Sequence, residues 1–181
     1  MASGAECSSC EAGLSEVDDS LSDRHPLIRR LTMDDLDAIV HLESDAFPKD
    51  PWPKKEIVYE LQENPYALLA GEERNGRLVG YCDLWIMYEQ AQVANIAVSP
   101  SVQRQGIGAS LMDWMVSAAI EAGCENLSLE VRLSNLPALR LYEKYGFLQA
   151  NIRRHYYEDG EDAYLMVKPL GGLENDSDTG N

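Results

Sequence analysis

Apolar positions change period several times between residues 26 and 170, and each change marks an element. The segment "PLIRRLT" at 26–32 reads as a first strand. Thr32 then stands as a helix cap, with Asp34 and Asp35 in the first turn, where the helix dipole favours acid. Leu36, Ile39, Val40 and Glu43 follow at helical spacing. "FPKDPWP" breaks the pattern, and Pro53 opens a second helix containing Ile57, Val58 and Leu61. "YALLAGEER" and "RLVGYCDLWIMYE" flank Asn75-Gly76, the two-residue turn of a hairpin. "QVANIAVSP" is another strand. A helix then runs to about Ala122, with Ile107, Leu111, Met115, Ala118 and Ala122 on one face and Gly123 as its stop. "NLSLEVR" alternates, with Leu127, Leu129 and Val131 on one side and Ser128, Glu130 and Arg132 on the other. "SNLPALRLYEKYG" is a short helix ending at Gly146. "FLQANIRRHYY" and "DAYLMVKPL", on either side of Asp159-Gly160, form a final hairpin. The order β-α-α-β-β-β-α-β-α-β-β predicts an α+β domain in which helices flank a mixed central β-sheet.

Outside this patterned stretch the chain changes character. Residues 1–25 and 171–181 are polar, acidic and poor in large apolar side chains, which predicts two disordered tails around one domain at 26–170. The formal charge is −16. Glu6, Glu11, Glu16, Asp18, Asp19 and Asp23 against Arg24 give the first tail −5, and Glu174, Asp176 and Asp178 give the second −3, so −8 remains on the domain. An acidic surface argues against nucleic acid as the partner and favours cationic acceptors. No apolar run is long enough to span a membrane, and the N-terminus has neither the basic start nor the apolar stretch of a secretory signal, so a cytoplasmic protein is expected.

Cys7 and Cys10 form a lone C-x-x-C, short of the four ligands of a zinc site. Cys82 and Cys124 stand apart, so free thiols in a reducing compartment are expected. His25, His41 and His155 are far apart, and no metal is expected.

The chemistry-bearing stretch is "VSPSVQRQGIGASLMDW", 98–114. A dinucleotide fingerprint would need a third glycine where Leu111 stands, and a Walker loop would need Gly-Lys-Ser/Thr. The local physics still favours an anion. Gly106 and Gly108 permit a tight turn and close backbone approach, the first amides of the helix lack intrahelical partners, and Arg104 adds a charge matched to phosphate. The alternative is that both glycines serve only turning and packing.

The chain is identified from Q-R-Q-G-I-G after a strand as resembling the GNAT superfamily of acyl-CoA-dependent N-acetyltransferases. "FPKDPW", "NIAVSPSVQRQGIG", "LEVRLSNLPALRLYEKYGF", "IRRHYY" and "GEDAYLM" resemble, in one order, the RimI-type ribosomal-protein alanine acetyltransferases. The resemblance implies a GNAT fold over 26–170, acetyl-CoA as co-substrate, and a protein N-terminal amine as acceptor. It implies a pyrophosphate cradle at Gln103, Arg104, Gln105, Gly106, Ile107, Gly108 and Ala109, with Asn135 also contacting the coenzyme. Asn135 has a second reading as a helix cap. The strand at Ile96, Ala97 and Val98 would offer backbone groups to the pantetheine arm and an amide to the oxyanion.

Attack on a thioester needs a neutral amine. About 10% of an α-amine of pKa near 8 is neutral at pH 7, against about 0.04% of a lysine. A carboxylate working through one water suffices, and the resemblance gives that role to Glu130. The alternative is a strand glutamate paired with a neighbouring arginine. Tyr142 matches the acid that protonates the leaving thiolate; otherwise it is a helix aromatic sharing a face with Leu139 and Tyr145. Glu43, Phe47 and Trp52 in one loop region, and Tyr156 and Tyr157 in another, are the candidate acceptor-binding residues. Glu43 has a second reading as a solvated helix-face residue. Two rival functions keep part of this picture: acetylation of a small amine such as a polyamine or aminoglycoside, and a coenzyme-binding module without turnover.

Overall fold

The computed structural model describes Leu21 and residues 24–171. The predicted order is the observed one: β1 (Ile28–Arg30), α1 (Leu36–Ala46), α2 (Lys54–Gln62), β2 (Ala67–Arg74), β3 (Arg77–Met87), β4 (Gln90–Val98), α3 (Ile107–Glu121), β5 (Asn126–Arg132), α4 (Leu136–Lys144), β6 (Leu148–Arg153) and β7 (Ala163–Pro169). Among the described residues seven strands form one sheet in the order β1-β2-β3-β4-β5-β7-β6. All pairs are antiparallel except β4 with β5, which α3 connects in parallel.

Local chemistry explains the boundaries. Thr32 and Asp35 close a capping box around a single 3-10 turn, and α1 continues from it. Asn75 and Gly76 both have positive φ, 54° and 73°, as a tight hairpin turn requires. The β3–β4 turn uses Tyr88 at φ 55° with no glycine to announce it. β6 stops at Arg153, short of the tyrosine pair. His155 at φ 51° turns the chain out of the sheet, its amide is taken by Asp162 Oδ1 at 2.9 Å, and Tyr156 and Tyr157 lie in the β6–β7 loop.

Two apolar layers sandwich the sheet. On one face α3 and α4 cover Cys82, Leu84, Leu127, Leu129 and Val131; on the other α1 and α2 cover Leu69, Tyr81 and Ala97. The buried stripe of α3 is wider than the predicted one, adding Met112, Trp114 and Ala119. Gly80 permits its close seating: a Cβ there would meet Ile107 Cγ2 at 2.7 Å and Leu111 Cδ1 at 3.2 Å.

Packing begins before Pro26, the expected start of the domain. Leu21 is buried against the α3 layer and His25 Nε2 lies 3.3 Å from Ser117 Oγ. The expected disorder at 1–20 and 172–181, and Cys7 and Cys10, fall outside the described residues. Cys82 and Cys124 are buried free thiols. Among the described residues no helix is long and apolar enough to cross a membrane.

Candidate active site

The site begins with a bulge. Asp83 pairs with Asn95 and Leu84 with Val93, so Ala94 is an extra residue on β4. A bulge bends its strand and increases the local twist. Here β4 bends away from β5: their pairing ends at Val93 and Leu129. Beyond it β4 remains paired only to β3, and β5 only to β7. The sheet therefore splits along this seam.

The free edge of β4 holds the predicted strand segment. Ser99 donates its amide to Val79 at 2.9 Å, so strand alternation turns the Ala97 amide toward β3 and those of Ile96 and Val98 toward the opening. Two of the three named positions thus offer a free N–H; Ala97, buried in the α1–α2 layer, does not.

At the end of the split lies the glycine loop. Gly106, at φ 86°, caps α3, and Ser110 donates to its carbonyl at 2.9 Å. The amides of Ile107, Gly108 and Ala109 are the helix's unpaired first turn. A Cβ on Gly106 would meet nothing within 4 Å, and one on Gly108 only ordinary contacts at 3.7 and 3.9 Å. Packing of the chain therefore does not require these two glycines, and open space stands before Gly106. Gln103 and Arg104 are exposed, Arg104 at φ 63° with no partner among the described residues, while Gln105 Oε1 accepts from Arg74 at 3.2 Å and ties the loop to β2. A polyphosphate fits this donor set. Replacing Gly106 with alanine is expected to cost about 1–2 kcal/mol of stability for the left-handed backbone. The same change weakens acetyl-CoA binding about tenfold or more by projecting a methyl into the cradle. Chemical denaturation and titration calorimetry measure the two effects separately.

Glu130 is the first residue of β5 beyond the seam, and its side chain is 9% exposed. Gln92 Nε2 donates to Oε2 at 3.0 Å, and Arg153 Nε lies 3.1 Å from Oε1. The arginine pairing considered from sequence is present, but in a nearly enclosed position. Each carboxylate oxygen keeps a further lone pair that can accept from a water. Glu130 lies on the α1–α2 face. Tyr142 belongs to the opposite, α3–α4 layer, its ring 5.8 Å from that of Phe147. The Tyr142 hydroxyl makes no hydrogen bond among the described residues and is not one of the enclosed unsatisfied atoms, so it keeps a small solvent contact. Burial, reinforced by Tyr157, pushes its pKa well up, which keeps the proton on at neutral pH. Asn135 caps α4 through Ala138 N at 3.3 Å, as its local reading expected.

Two loops border the Glu130 side. Tyr156 and Tyr157 meet edge to face at 5.2 Å, and burial pushes Tyr157 up to about 12. Phe47 and Trp52, partly buried, pack on the α1–α2 layer. The structure corrects the reading of Glu43 as a solvated helix-face residue: it is fully buried. Tyr81 donates to it at 2.7 Å, Asn95 at 2.9 Å and the Trp52 amide at 2.9 Å. Glu43 thereby straps the α1–α2 loop to β3 and β4. Burial raises its pKa, partly offset by these donors. Sequence reasoning did not single out Gln92, Tyr81, Asn95 or Arg153. No group of three or more metal-ligating side chains occurs among the described residues.

Residues 36–147 match the model of the acetyltransferase (GNAT) family. The chain belongs to that family. GNAT acetyltransferases use acetyl-CoA. The chain is 41% identical, over 77% of its length and 92% of the relative's, to a Bacillus subtilis protein provisionally named a [ribosomal protein bS18]-alanine N-acetyltransferase. It is 36% identical to the Escherichia coli enzyme of that name, over 79% of this chain and 97% of the relative. The crystal structure of the Escherichia coli ribosomal-protein-S18-alanine N-acetyltransferase superimposes with a TM-score of 0.75, covering 82% of this GNAT chain and 96% of that one.

Proposed function

We propose that this acetyltransferase acetylates the N-terminal α-amine of a protein in the cytoplasm, its acceptor being the N-terminal alanine of a small-subunit ribosomal protein. The observation that carries the reading is the position of Glu130. It is the first residue of β5 past the seam with no partner on β4, on the face bordered by the α1–α2 and β6–β7 loops, with Tyr142 on the opposite layer. The named activity of the relatives supports the choice of acceptor.

Acetyl-CoA supplies the acetyl group as an activated thioester, held by the cradle at 103–109 and the β4 edge, with Asn135 beside it. Glu130, through a water, takes the proton of the incoming ammonium. The outward amide of Ile96 or Val98 donates to the oxygen that gains charge during attack. Tyr142 donates its hydroxyl to the departing sulfur. Because the thiol's pKa near 8.5 lies below that of a tyrosine, the thiolate is the weaker base, and the transfer completes only as the tyrosine is reprotonated by the proton that the attacking nitrogen sheds. Tyr156, Tyr157, Phe47 and Trp52 line the approach of the acceptor, over the strap formed by Glu43.

The test is mass gain after incubation with acetyl-CoA and three acceptor sets: free-amine peptides beginning with alanine, N-blocked lysine peptides, and small amines. Acetylation of the peptide α-amine is expected. Gain only on small amines overturns the peptide reading, and coenzyme binding without turnover leaves a binding module.

A further inference from the structure

One guanidinium connects the two loops bordering the Glu130 side. Arg132, two residues beyond Glu130 on the same face of β5, donates through Nη1 to Asp159 Oδ2 at 2.8 Å and to Glu161 Oε2 at 3.0 Å. Both partners belong to the β6–β7 loop. Through Nη2 it reaches Asp50 Oδ2, in the α1–α2 loop, at 3.3 Å. Its plane lies over the Tyr157 ring, 3.8 Å from the centroid. Glu161 also accepts the Ser134 amide at 2.8 Å, so the β6–β7 loop has a second tie to the segment after β5. The α1–α2 loop is strapped to β3 and β4 by Glu43 at Trp52, but toward the β6–β7 side it has no such reserve. Among the described residues Arg132–Asp50 is the one hydrogen bond or ion pair joining residues 47–53 to β5 or to the β6–β7 loop.

The geometry points to Arg132 as the positioning residue of the acceptor side: it fixes Tyr157 and the β6–β7 loop, and through Asp50 it latches the α1–α2 loop across the acceptor's approach. This rests on the acceptor entering between those loops, as proposed above. A guanidinium suits the task because its planar fork serves several carboxylates at once while its face stacks on an aromatic ring. A lysine ammonium offers a point charge and no face. The two halves of the device differ in strength. The contacts to Asp159, Glu161 and Tyr157 are several and mutually supporting. The contact to Asp50 is single and long, and Asp50 is half exposed, the condition in which an ion pair is weak enough to open and re-form. The β6–β7 side is the fixed post, and the Asp50 contact is the part of the device that opens.

The test uses the full chain as Arg132→Met, Arg132→Lys and Asp50→Asn, with an alanine-initiated peptide and acetyl-CoA. Arg132→Met raises the peptide KM about tenfold, with kcat held within about threefold and acetyl-CoA affinity unchanged by calorimetry. Arg132→Lys does not restore the parent KM. Asp50→Asn, which leaves every contact of the β6–β7 loop in place, raises it about threefold. Amide hydrogen exchange reads the latch without any acceptor: it quickens over 47–53 in both Arg132→Met and Asp50→Asn, and over 154–162 in Arg132→Met alone. If the parent acetylates no peptide, the functional reading fails while the exchange result still decides the latch. If Arg132→Met does not fold, Asp50→Asn decides it. Unchanged exchange over 47–53 in the folded variants, full rescue by lysine, or equal loss of peptide and acetyl-CoA affinity overturns the proposal.

Discussion

Glu130→Gln is expected to lower kcat/KM for an alanine-initiated peptide by about 10²–10⁴ at pH 7, the range for losing a general base. Glutamine is close to isosteric, so the loss reports the missing charge and proton acceptor. The deficit is expected to shrink as pH rises. An α-amine of pKa near 8 is about 10% neutral at pH 7 and about 90% neutral at pH 9, so the variant recovers about ninefold as the acceptor sheds its own proton. The parent, which removes that proton itself, gains less over the same interval. Steady-state rates from pH 6.5 to 9.5 check both parts. An equal loss at every pH would show that the carboxylate only holds Gln92 and Arg153 in place.

The second large effect concerns stability. Asp83 is fully buried on β3 beside the Ala94 bulge, and neither carboxyl oxygen has a hydrogen-bond partner among the described residues. Burial, with the nearby Glu60, pushes its pKa to about 8. The folded protein thus holds a proton that the unfolded chain releases near pH 3.8. Stability therefore falls as pH rises from about 4 to about 8, at about 1.4 kcal/mol per unit, and the fall ends once the folded form also loses the proton. At pH 7 the loss is on the order of 4 kcal/mol. Asp83→Asn removes the proton linkage and is expected to be more stable than the parent by that order at pH 7. That corresponds to about 10 °C in Tm. The gain is expected to vanish near pH 4. Urea unfolding of both proteins at pH 4.5, 7 and 9 measures it. A pH-independent difference would mean that Asp83 does not carry the proton.

The element order was legible because periodicity, caps and glycine stops agree with one another from Thr32 to Gly146. What was not legible depends on register. Ala94 is an ordinary alanine in an apolar strand, and nothing in its identity announces the extra residue that ends the β4–β5 pairing. The same is true of Glu43. Its place on the helix was readable, but its burial depends on Tyr81, Asn95 and Trp52, which lie far along the chain or across a loop. The glycine loop and Glu130 were readable as candidates because their backbone freedom and strand alternation are local properties. Arg132 appeared only as a polar alternation in "LEVR", since Asp50, 82 residues away, is brought to it only by the closed fold.

Beyond Val93 and Leu129 the gap between β4 and β5 lies between two helical layers, α3 and α4 on one face of the sheet and α1 and α2 on the other. With coenzyme and acceptor placed as proposed, each has its own door: neither must leave before the other enters, which predicts direct transfer within a ternary complex and no acetylated side chain. A chain still emerging from its synthesis could present its first residue from one side while spent coenzyme is exchanged on the other.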